Sequence, residues 1–154
     1  GLVRNPTNFG TTTVASADTR RQLFAAIFSS VSGTFTADEE INQASTGAVG
    51  KVVEFDSTNK ILYFYQTRFP DCGTDSNGNL TAFSGANAIT GQSSSASATP
   101  DTSNSTTTNG TVFVSGYSNP ELAFDSGDII YVEERSPITR ASDQTENIKL
   151  IIEF

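Results

Sequence analysis

The chain contains no histidine, so the commonest general base and the commonest metal ligand are both missing. A single cysteine, Cys72, excludes an intrachain disulfide and a thiolate zinc cluster. Methionine is absent even at the first position, and the expectation is a processed protein or, in preference, a fragment. No apolar run approaches the roughly 20 residues that a membrane-spanning helix needs. The opening GLVRNPTNFG also lacks the basic start and apolar stretch of a secretion signal. Positive charge is scarce: 9 Lys and Arg stand against 17 Asp and Glu, for a net charge of −8 and a pI near 4.3. Such a surface repels phosphate backbones, so neither nucleic acid nor a membrane is an expected partner.

What is present suffices for one domain with a core. The 154 residues are 36% hydrophobic and 10% aromatic, with eleven Phe and four Tyr. A chain of this size buries roughly 68–70% of the surface that its unfolded form exposes. Near the start, Ser16 or Asp18 can cap a helix whose Leu23, Phe24, Ile27, Phe28 and Val31 share one face and which Gly33 would stop. The pattern predicts an amphipathic helix over Asp18 to Ser30. From Gly33 the pattern turns to β, although Thr36 and Glu39 also mimic a capping box. KVVEF, the turn DSTNK and ILYFYQTRF read as a hairpin rich in β-branched and aromatic residues, the best core candidate.

DCGTDSNGN is turn chemistry centred on Asn77-Gly78. Asp75, Asn77 and Asn79 alternate as calcium ligands do, but Leu80 and Ala86 occupy the places where such a loop needs Gly and Glu. Gly91 to Gly110 is a low-complexity segment in which Ala96, Ala98 and Pro100 offer little core, and a long exposed loop is expected. Three Asn-X-Ser/Thr triplets, at Asn79, Asn104 and Asn109, follow from a composition rich in Ser, Thr and Asn. TVFVSGY then resumes strand character. DIIYV is apolar on both faces, as in a strand covered on both sides. In the closing IKLIIEF, Ile148, Leu150, Ile152 and Phe154 share one side. The fold class expected is mainly β, a β-sandwich or barrel with one short amphipathic helix near the N-terminus.

Between the last two apolar runs lies a stretch that holds Glu133, Glu134, Arg135, Arg140, Asp143 and Glu146. A glycosidase would need two carboxyls about 5–9 Å apart in a cleft, with Tyr131 as a stacking platform. Interleaved arginines instead favour ionised carboxylates in ion pairs. A serine nucleophile would require lysine in place of histidine, and no G-x-S-x-G elbow or phosphate-cradling loop is present. Cys72, beside Asp71, reads as a spectator thiol. No catalytic residue, metal or cofactor is expected.

Ser126-Gly127, Ile130-Tyr131, Glu133, Arg135, Pro137, Asp143-Gln144-Thr145-Glu146, Ile148 and Phe154 form a specific ordered pattern. It resembles the C-terminus of the baseplate wedge protein family of T-even-like contractile-tail phages. GLVRNP echoes that family's strand ending in Asn-Pro, and Pro120-Glu121-Leu122 fits as well. In the family these pieces lie closer together, whereas here Thr11 to Tyr117 separates them. The resemblance thus implies scaffold strands in 1–10 and 119–154, and an inserted or enlarged β domain in 11–118 that carries the 91–110 loop. The insert resembles small β modules of phage tail proteins in GTFTADEEINQASTGAVGKVVEF with ILYFYQ, and in LTAFSGANAITGQSSSASA.

The resemblance further implies a non-enzymatic virion subunit of the tail baseplate, assembled in the bacterial cytoplasm. Its partners would be other wedge proteins, with a homodimer in the full-length protein. On this reading Tyr131, Glu133, Arg135, Pro137, Arg140, Asp143 and Glu146 form a connector or interface. Pro137 pre-sets its backbone and Asp143 initiates a turn. Two rival readings are a glycan- or receptor-binding tail module, with the Ser/Thr-rich loop and the Tyr residues, tested at Tyr117, as adhesive face, and a glycosidase using Glu133, Asp143 or Glu146.

Overall fold

The computed structural model describes residues 2–16, 21–66, 73–74, 76–123 and 126–133. Among them the protein is entirely strands, turns and bridges. In chain order the strands are β1 (Leu2–Arg4), β2 (Phe24–Ile27), β3 (Glu40–Gln43), β4 (Ala48–Asp56), β5 (Ile61–Tyr65) and β6 (Ile89–Gly91). There follow β7 (Ser97–Ala98), β8 (Thr107–Thr108), β9 (Thr111–Val112), β10 (Tyr117–Ser118) and β11 (Asp128–Tyr131). One seven-stranded antiparallel sheet has the order β10-β2-β5-β4-β3-β6-β7, and β1–β11 and β8–β9 form two further pairs.

The expected hairpin is the centre of this sheet. β4 and β5 meet across the turn at 57–60, where the Asp56 carboxylate accepts from the amides of Thr58 and Asn59, both at 3.0 Å. Lys60 then takes φ 56°. A bulge lies between Val52 and Glu54. Strict alternation from Val52 would send Glu54 inward. The extra residue, Val53, resets the phase, so that Glu54 opposes Tyr63 outside and Phe55 opposes Leu62 against the core.

The helix expected over Asp18 to Ser30 is corrected by the structure. Asp18 lies outside the described residues, and Phe24–Ile27 is a strand between β5 and β10. The run Leu23 to Phe28 satisfies a helical period and a buried strand equally. Two-sided burial decides for the strand: Phe24, Ala26 and Phe28 pack into the main core, while Ala25 and Ile27 pack with Ile61 and Phe113 on the other face. The Thr36/Glu39 pair does form half of a capping box, with the Glu39 carboxylate accepting from the Thr36 amide at 2.7 Å, but around a turn instead of a helix start.

The sheet curls until its β7 end meets the continuation of β2. Past β2 the chain continues to Ser32, whose amide and carbonyl exchange two 2.9 Å bonds with Ser97 of β7, while Phe28 bridges Pro100 and the Asp101 amide reaches the Ile27 carbonyl at 2.8 Å. A small closed barrel results, with Phe64 at its centre, stacked on Phe24 at 5.8 Å and edge-on to Phe83 at 4.7 Å. The low-complexity segment is part of this wall, against the expectation of an exposed loop. Ala96 and Ala98 are core residues and Pro100 is buried. Small side chains fit there because a Cβ on Gly33 would already stand 3.2 Å from the Ala96 Cα.

Two buried polar side chains tie barrel loops together. Glu39, 4% exposed, accepts from the amides of Thr36, Ser93 and Ser94 and from the Ser94 hydroxyl. Gln43 donates to the Asn87 carbonyl at 2.8 Å and to the Tyr117 hydroxyl at 3.1 Å, and accepts from the Ser84 amide and the Thr46 hydroxyl, each at 2.9 Å. These side chains meet their hydrogen-bonding needs without a counter-ion, as buried polar groups must.

Candidate assembly surface

At the barrel's base the chain enters and leaves at one point. The Arg21 carbonyl accepts from the amides of Glu121 at 2.7 Å and Leu122 at 3.1 Å, and the Glu121 carboxylate accepts from the Arg21 amide at 3.0 Å. The Arg21 guanidinium donates to the Leu23 carbonyl, and at 2.8 Å to both the Ser118 hydroxyl and the Asn119 carbonyl. Burial lowers its pKa, against the opposing pull of the Glu121 carboxylate. Below this junction, Phe9 packs edge-on to Phe24 at 6.0 Å and its amide reaches the Glu121 carbonyl at 2.8 Å.

From that base projects the ribbon of β1 and β11. Leu2 pairs with Tyr131, Val3 with Ile129 and Arg4 with Asp128, the last also as an exposed ion pair at 3.6 Å. The skipped residue, Ile130, makes an irregularity that brings Leu2 opposite Tyr131. Gly127 anchors the root at φ +92°, since a Cβ there would lie 2.7 Å from the Arg4 carbonyl oxygen and 2.8 Å from Val3 Cγ1. Leu2, Val3 and Arg4 alternate across the ribbon, so apolar side chains stand on both faces.

Those side chains are bare. Leu2 is 62% exposed, Ile129 71%, Tyr131 50% and Val132 67%, and Val3 and Ile130 are also exposed. Among the described residues nothing covers DIIYV, against the expectation of a strand covered on both sides. Its only described neighbour is the three-residue β1, and the barrel wall carries its own core elsewhere. An isolated two-stranded ribbon with wet apolar faces is marginal alone, and clustered exposed apolar side chains mark interaction sites.

Of the residues expected to form a connector or interface, Tyr131 is on the ribbon and Glu133 is exposed two residues beyond it. Arg135, Pro137, Arg140, Asp143 and Glu146 lie outside the described residues, as does the closing run 148–154. Cys72 and Asp75 lie outside them too. Leu2, Val3, Ile129, Ile130 and Val132 belong to runs that the sequence marked as strands, but they were not expected at the connector or interface. Their apolar pattern equals that of core strands, and only pairing and burial distinguish the two. Tyr117, the aromatic of the adhesive reading, is turned toward the barrel end. Its hydroxyl donates to the Gly85 carbonyl at 2.8 Å, and burial raises its pKa against the effect of Gln43.

The model of the Phage-Gp8 family, described as Bacteriophage T4, Gp8, matches residues 59–154. The chain belongs to this family. No curated protein and no solved structure matches it. Phage-Gp8 is a baseplate wedge family, so the chain is a baseplate wedge family member, a structural protein of bacteriophage. The match begins in the turn between β4 and β5 and takes in β5 through β11, with the ribbon's longer strand.

Proposed function

We propose that this Phage-Gp8 chain is a non-catalytic wedge subunit of a contractile-tail baseplate, and that the β1–β11 ribbon is its docking element toward other baseplate proteins. The observation that carries this is the set of exposed apolar side chains on both faces of the ribbon: Leu2, Val3, Ile129, Ile130, Tyr131 and Val132. Burial of each such side chain is worth roughly 1.5–3 kcal/mol. A few of them under a partner suffice for a stable contact, whereas in water they are a liability. The same ribbon is available for a homodimer in the full-length protein. A virion location in the tail baseplate, with assembly in the host cytoplasm, accords with the family.

The test is co-purification with the other wedge proteins of the same phage. Ile129→Asp is expected to weaken capture by about 10-fold or more while leaving the thermal midpoint of the barrel in place, because Ile129 lies outside both core clusters. Undiminished capture by Ile129→Asp and by a Val3→Asp, Ile130→Asp double variant would remove the ribbon as docking element. A division into scaffold parts at 1–10 and 119–154 with a β domain at 11–118 is supported by the crossing of both chain passages at Arg21 and Glu121. Against setting all of 11–118 apart stands the family match, which reaches back to residue 59.

A further inference from the structure

The barrel seam does not close evenly. Between the Phe28–Pro100 and Ser32–Ser97 bridges, residues 29–31 on one side face only 98–99 on the other. This mismatch opens a shallow cleft of about 440 Å³, lined by Ser29, Ser30, Ser32, Thr99, Asp101 and Ser103 among others. Its volume falls within the roughly 300–1,000 Å³ of small-ligand sites. The junction that carries the ribbon lies before the Phe24 end of β2 and the cleft beyond its Ile27 end, so the two flank opposite ends of that strand.

The lining decides what class of molecule could be held. Apart from Ala98 and Pro100 it is made of hydroxyl side chains and one carboxylate, which offers little to an apolar ligand. Asp101 is its one charged residue, and the protein carries a net charge of −8, so phosphates, sulfates and acidic sugars are repelled. Oδ1 of Asp101 accepts from the Ser103 amide at 3.1 Å and its hydroxyl at 2.5 Å, which orients the carboxylate. At the edge, the Lys60 ammonium holds the Ser29 carbonyl at 2.5 Å. Hydroxyls that both donate and accept, beside one fixed carboxylate, match a ligand with many neutral hydroxyls.

We infer that this seam cleft is a binding site for neutral oligosaccharides, separate from the assembly ribbon. The cleft has no aromatic platform, so a single site is weak, and repetition of the subunit in an assembly supplies the avidity. The test is titration of the isotope-labelled full chain with cellotriose, maltotriose and chitotriose, followed by amide NMR. At least one sugar should shift amides of residues 29–32 and 97–103 with a dissociation constant of about 1–10 mM. Selective response to chitotriose points to amino-sugar polymers of a cell wall, and response to the glucose trimers to neutral surface polysaccharide. Thr99→Val, which removes a lining hydroxyl, and Asp101→Asn, which removes the charge but keeps the shape, should each weaken binding about 10-fold with an unchanged fingerprint elsewhere. The proposal is overturned if no sugar shifts those amides at about 30 mM, or if the shifts persist in both variants. Because the readout does not involve the ribbon, its failure leaves the wedge assignment intact.

Discussion

Replacement of Glu39 by glutamine isolates one buried carboxylate that fastens two distal loops. Its two oxygens receive four donors: the Thr36 amide at 2.7 Å, the Ser94 hydroxyl at 2.8 Å, and the Ser94 and Ser93 amides at 2.9 and 3.2 Å. Glutamine keeps one oxygen. If that oxygen faces Ser93 and Ser94, the new amide group can donate to the Ser94 hydroxyl, but the Thr36 amide then confronts a donor. One charge-assisted bond is lost and one buried N–H is stranded, a cost of about 1.5–3 kcal/mol. At this chain length that lowers the thermal midpoint by roughly 4–10 °C at pH 7. The pH dependence gives an independent check. Burial pushes the Glu39 pKa up, but hydrogen bonds from Ser94, Thr36 and Ser93 outweigh it and hold the folded value below the ordinary 4.5. The unfolded chain therefore takes up this proton first on acidification. The carboxylate's contribution is complete well above 4.5 and disappears as the pH falls through the folded value. Circular-dichroism melts of wild type and Glu39→Gln should differ at pH 7, and the gap should narrow as the pH falls below 4.5. Equal midpoints at pH 7, or a gap that does not narrow in acid, would refute the clasp.

Two further perturbations probe other parts of the fold. Phe64→Ala empties the barrel centre, where Phe64 touches Phe24 and Phe83, and should cost about 3–5 kcal/mol, read as a lowered urea midpoint. Gly127→Ala would place a methyl 2.7 Å from the Arg4 carbonyl oxygen at a φ of +92°. Hydrogen exchange should then show amides 2–4 and 128–131 losing protection while those of β4 and β5 keep it, and uniform loss would contradict an independent ribbon.

The sequence made the barrel's strongest part visible. KVVEF and ILYFY announce β4 and β5 through β-branched and aromatic density, and the short polar turn between them fixes the pairing. β2 was hidden because Leu23 to Phe28 satisfies both periodicities, and the choice depends on Phe113, some ninety residues later in the chain, covering the outer face. β7 was hidden for a different reason. Ser97 and Ala98 have weak strand preference, and their place is set by the room that Gly33 and Ser32 leave. Tyr131 and Glu133 were expected at a connector or interface through a family pattern that physical periodicity alone would not have supplied. The ribbon's bareness could not be read from the same residues, since an interface strand and a core strand carry one alphabet.

The pairing of the chain's second to fourth residues with Asp128–Tyr131 has a consequence for the timing of manufacture. Synthesis must pass through every strand of the barrel before β1 finds its mate, so this projecting tongue forms only after the barrel's strands have been made. A nascent or truncated polypeptide that ends before Ser126 has no such tongue to offer. On the docking role proposed above, a chain stopped after Ser118 is expected to be left behind when particles are sedimented away from free protein.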